Sequence, residues 1–141
     1  MRLLSVLMGV LISSVSQGFD HSHSLWDGEL KKYLNQAGLV HYNQWSKSAA
    51  TLDEYLKNLA AVKKSTFNKW TIPQQKAFLV NAYNAFTIKL ILKIYPVKSI
   101  KNIGGFFTKP WSIDFFSLLG GALTSLDPIE HDWLRGKKEY K

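Results

Sequence analysis

The longest apolar run of the chain, FLVNAYNAFTIKLILKIYP (78–96), has the length and spacing of a helix and ends at Pro96, which cannot continue one. Upstream, Thr71 and Gln74 form a capping box, with Pro73 in the first turn where its missing N–H does no harm. A helix over 72–95 is therefore predicted. Shorter amphipathic stretches flank it. Ser24 opens a helix with Leu25, Leu30, Tyr33 and Leu34 on one face and Gly38 at its C′ position; 39–42 then reads as extended. Thr51 and Glu54 suggest a second capping box, starting a helix to about Val62 that buries Leu52, Tyr55, Leu56 and Leu59. Residues 113–125 read as a hairpin turning at Gly120-Gly121. A last helix follows, with Asp127 as cap, Pro128 at N1 and Glu130 at N3. The class predicted is α+β, mainly helical, built around the 72–95 helix.

Two asparagines interrupt that central helix. At about 100° per residue, Gln75, Ala82, Lys89 and Lys93 share one side, which their polarity assigns to solvent. Asn84 then lies opposite and Asn81 on the flank, so both amides are expected to face inward. A buried amide without partners costs a few kcal/mol. Each must either tie loop backbone to the helix or line a pocket.

The first 18 residues change the picture from a plain domain to an exported one. Arg2, the apolar stretch Leu3 to Val15 and the small-x-small Ser16-Gln17-Gly18 have the order of a cleaved leader, leaving Phe19 as the new N-terminus. Residues 19–23 then form a polar tail and 24–141 a single domain. No segment after the leader is expected to span a membrane, because Asn81, Asn84, Lys89 and Lys93 break up the central run. The chain has no cysteine, which excludes a Cys nucleophile, a disulfide and a Cys-ligated metal within it. Its formal charge of +8 is scattered rather than gathered into a stripe with aromatics. That argues against nucleic acid and for weak contact with anionic envelope components.

The stretch AFLVNAYNAFTIKLILKIYPVKSIKNIG, a following PW, and SLDPIEHDWLR together resemble the DUF547 family. LKKYLNQAGLVHY and LDEYLKNLAAV are similar to its upstream elements, so the resemblance covers nearly everything after the leader. Leu79 or Val80 stands where a Trp is usual, and His41 where an Asp is usual. The family name assigns no reaction. The resemblance implies a further segment bearing a histidine and a cysteine, which RGKKEYK does not supply, and so a domain truncated at its C-terminus. A papain- or transglutaminase-like ancestry would make such a protein a hydrolase or acyl transferase. With the cysteine missing, no catalytic role carries over.

The candidate pocket comprises Asn81, Tyr83, Asn84, Trp111, Glu130, His131 and Arg135. Glu130 and His131 diverge by about 100° on a helix, whereas His131 and Arg135 share a face and can hold an anion. Glu130 also suits the capping box. Separately, a free amine on Phe19, the amides of Asp20 and His21 and the His21 imidazole can place four nitrogens in a plane, a geometry that suits Cu(II) or Ni(II); a polar spacer is the plainer use. No cofactor is expected. The resulting expectation is an exported, non-catalytic binding module of the cell envelope, its ligand an unidentified protein or small molecule. The alternatives are an enzyme using Asn81, Tyr83, Asn84, Glu130 and His131, or an inactive truncated relative of one.

Overall fold

The structure, a computed structural model, describes residues 18–99, 101, 103 and 109–135. All but Gly18 of the expected leader, parts of the connector after Pro96 and the last six residues lie outside them. The predicted class holds: helices surround one long central helix, with a small hairpin. The order is α1 (Ser24–Tyr33), α2 (Tyr42–Ser46), α3 (Ala50–Ala60), α4 (Lys64–Phe67), α5 (Ile72–Ile94), a 3₁₀ turn (Pro110–Ser112), β1 (Phe116–Ser117), β2 (Leu123–Thr124) and α6 (Leu126–Pro128). A π-helical turn (Ile129–Leu134) continues directly from α6.

Helix α5 begins as its capping box requires. Thr71 Oγ1 accepts from the Gln74 N–H at 3.4 Å, and Gln74 Oε1 accepts from the Thr71 N–H at 3.0 Å. Over its first three turns the faces are the reverse of those assigned from polarity, whereas Lys93 near its end is exposed as expected. Gln75, Phe78, Leu79, Ala82, Ala85, Phe86, Leu90 and Ile91 are buried, while Val80 and Asn84 are exposed and Asn81 is half-buried. Gln75 tolerates burial because its amide donates to the carbonyls of Phe67 and Trp70 at 3.1 and 3.2 Å. Lys89, farther along the same side, reaches the Asp53 carboxylate of α3 at 2.5 Å. The buried side packs on α2 and α3, and α5 also meets the π turn. By length and composition alone α5 does meet the requirement for crossing a membrane, with mean hydropathy 1.3, contrary to expectation. Packing on α2, α3, α6 and the π turn is what a core helix does.

Helix α1 buries Trp26, Glu29 and Tyr33 most deeply; Leu25, Leu30 and Leu34 are only partly covered. Glu29 goes inside because the Trp45 indole N–H donates to it at 2.7 Å. Trp45, on the unforeseen helix α2, stacks on Tyr33 at 4.8 Å and Trp26 at 6.0 Å. Helix α1 stops at Tyr33, not near Gly38. Gly38 (φ 77°) instead turns the loop that lets Leu34 bridge Val40, while Asn35 Oδ1 accepts from the Ala37 and Leu39 amides.

Helix α3 buries the four residues expected of it. It begins at Ala50, so Thr51 lies inside the first turn and makes no cap. The hairpin pairs Phe116 with Thr124 and Ser117 with Leu123. Its turn is centred on Leu119-Gly120, both at positive φ, with the Gly121 N–H bonded to the Leu118 carbonyl at 3.1 Å. Phe116 stacks on Phe86 at 3.8 Å, fastening the hairpin to α5. Residues 19–23 are not a free tail. Phe19 packs against Trp70 and Phe78, and His23 is buried.

Candidate functional site

Asn84 and Tyr83 stand on the outer side of α5, where the π turn crosses it. Val80, Tyr83, Asn84, Glu130 and Leu134 line a cleft of about 250 Å³ there. Glu130 links both walls: its carboxylate accepts from the Tyr83 hydroxyl at 3.4 Å and from Arg135 Nη2 at 2.5 Å. Burial pushes the Tyr83 phenol above its ordinary value, and the Glu130 charge adds to the effect.

The π turn explains why Arg135 meets Glu130 rather than His131. The Arg135 amide bonds to the Glu130 carbonyl at 3.1 Å, a five-residue step that brings positions 130 and 135 onto one side. His131 points elsewhere and is exposed. Glu130 is therefore not a capping residue. Asp127 is not the cap either: it lies within α6, behind the cap position Ser125, and its carboxylate accepts from the Ser112 hydroxyl. Trp111 is half-buried against the core and does not line the cleft, and neither does Asn81. Of the seven predicted pocket residues, Tyr83, Asn84 and Glu130 line the cleft, and Arg135 is held to it through Glu130.

A second constellation went unread in the sequence. His23 sits at φ 51°, buried, its Nδ1 2.7 Å from the Tyr55 hydroxyl. Its Nε2 is buried with no hydrogen-bond partner among the described residues. Burial lowers the imidazole pKa, partly opposed by the Asp20 charge. Asp20 anchors this backbone. It accepts from the amides of Ser22 and Ser24 at 2.9 Å each and from both hydroxyls, which hold its carboxyl well below the usual range. His23 borders a cleft of about 580 Å³ with Phe19, Leu25, Tyr55 and Val62. The D-x-S-x-S pattern at 20–24 was the available signal, since an Asp before two serines favours a local turn over a loose spacer.

The His21 ring lies edge-on to Trp70 at 4.6 Å and to Phe19 at 5.5 Å, so metal binding at 19–21 would compete with those contacts. No group of three His, Asp or Glu side chains is placed to hold a metal among the described residues.

The molecule is thus a mainly helical α+β domain with a small cleft, part apolar and part polar, on the outside of its core helix. The sequence profile of the family described as "Protein of unknown function, DUF547" matches residues 67–141, more than half of the chain, and the chain belongs to that family. The match takes in both α5 and the Glu130 turn, the two walls of the cleft. No curated protein and no solved structure matches the chain.

Proposed function

We propose that this DUF547 protein is an exported, non-catalytic binding module of the cell envelope whose ligand or partner seats in the Asn84–Glu130 cleft. The observation that carries the reading is the exposure of Val80 (46%) and Asn84 in the middle of a core helix, facing the Glu130–Arg135 pair. An apolar wall beside an amide, a phenol and a paired carboxylate is the composition of a small-ligand site. The pair is neutral overall, so it favours ligands with both donors and acceptors, such as amides or zwitterions, over strongly charged ones. The absence of cysteine and the separation of His131 from Glu130 support binding over acyl-transfer chemistry.

The test is an NMR titration of the isotope-labelled chain with a library of small amides and zwitterions. Binders are expected to shift the Asn84 side-chain amide and the Leu134 methyl signals. Glu130→Gln should abolish both shifts and Asn84→Ala the Leu134 shift, the exposed Asn84→Ala changing stability by less than about 0.5 kcal/mol. Binders that shift only other regions, or that ignore both substitutions, would overturn the site. For export, the chain recovered from the envelope or medium of its own cells should have the mass of a protein starting at Phe19. A full-length mass confined to the cytosol would refute that part.

A further inference from the structure

The opposite side of α5 carries a different kind of opening. Leu56, Ala60, Phe86, Phe115 and Phe116 form the apolar floor and walls of a cleft of about 510 Å³, at whose rim stand Lys57, Lys89, Lys93, Asp53 and Ser117. That volume lies within the usual range for small-molecule sites, about 300–1,000 Å³. The lysines come from separate elements, Lys57 from the last turn of α3 and Lys93 from that of α5. A basic residue near a helix C-terminus is ordinary by itself. That preference does not explain why the two helix ends border one cleft, whose apolar lining is Ala60 and Phe115 near the surface over the edges of the buried Leu56, Phe86 and Phe116. Asp53 is engaged with Lys89, whereas Lys57 and Lys93 are exposed and form no ion pair among the described residues. The rim therefore carries an excess of positive charge, and the floor is aromatic and aliphatic.

We propose that this cleft binds a free amphiphilic anion: an acyl or aryl body lies against Phe86, Phe115 and Phe116, and a single anionic headgroup meets Lys57 and Lys93. Charge complementarity selects the occupant. A neutral apolar molecule would leave the lysines without a partner, and a purely polar anion would leave the floor wet. The site is separate from the Asn84–Glu130 cleft and shares no lining residue with it.

The probe is sodium decanoate below its micellar concentration, followed by calorimetry and by amide shifts, with decanol as the neutral control. One decanoate should bind per chain, with the largest shifts at Phe115 to Ser117, and decanol should bind about ten-fold more weakly. Lys57→Gln/Lys93→Gln should lose about ten-fold in decanoate affinity, as expected for two partly solvated charges, and keep its decanol affinity. Ala60→Trp fills the cleft from an exposed position and should block both ligands, while Asn84→Ala should alter neither. Equal decanoate binding by parent and double variant, equal affinity for decanol and decanoate, or no decanoate binding would overturn the proposal. So would binding to vesicles of anionic phospholipid without binding of the free anion, which would make this face a membrane surface instead.

Discussion

His23 shows how one residue couples local backbone to the core. Asp20 gathers the amides and hydroxyls of Ser22 and Ser24, and this turn holds His23 at positive φ and directs its ring toward Tyr55. An imidazole kept neutral by burial makes stability depend on pH. The unfolded chain takes up a proton near the ordinary value of 6.5, whereas the folded chain does so only at lower pH. The native state is thus fully favoured above 6.5 and loses stability as pH falls through the lowered folded value. Thermal melts should show the midpoint dropping between about pH 7 and pH 5. His23→Asn, which tolerates positive φ and does not titrate, should flatten that slope. An unchanged slope would assign the effect to another group. Asp20 acts in a separate window: its contribution persists until pH falls below the ordinary carboxyl value of 3.8.

Among the elements, α5 packs on α2, α3, α6 and the π turn. Its start is set locally by the Thr71–Gln74 box, so Thr71→Ala should destabilise the fold by about 1 kcal/mol in a urea melt. A negligible change would mean that tertiary packing alone places the first turn. Gln75→Ala should cost more, about 1–3 kcal/mol, because it removes the buried amide that bonds the Phe67 and Trp70 carbonyls. The π turn at Ile129–Leu134 is the second decisive element. Restoring an ordinary α-helical step there would rotate Arg135 away from Glu130 and open the cleft.

Across the whole molecule, the family match and the folding unit do not coincide. The match begins at Phe67, yet the core side of α5 packs on α2 and α3, which bring Trp45, Leu52, Leu56 and Leu59 to the core. A fragment of residues 67–141 leaves that side uncovered. It should show no cooperative urea transition and should bind a hydrophobic dye, whereas the full chain should unfold in one step. A fragment that melts cooperatively would show that the first 66 residues only decorate the domain.

Much of this protein was legible in the order of its residues. The central helix and its cap, the inward set of α3, a hairpin in 113–125 and the exclusion of cysteine chemistry all follow from local rules. These are helical periodicity, side-chain caps within a turn, glycine-tolerant turns and composition. The orientation of α5 does not follow. A period of 3.6 residues places Asn84 opposite Gln75 and Ala82, but both sides of this helix are largely apolar. Which side becomes interior depends on the surfaces of α2 and α3 and on the carbonyls that satisfy Gln75. The same dependence on distant partners hid the candidate sites. Glu130 reads as a capping residue until the π turn pairs it with Arg135 and Tyr83. His23 reads as part of a polar spacer until Tyr55, thirty-two positions away, supplies its partner. Local hydrogen bonds and periodicity chose the elements; burial, a property of the assembled surfaces, chose which side chains remain outside.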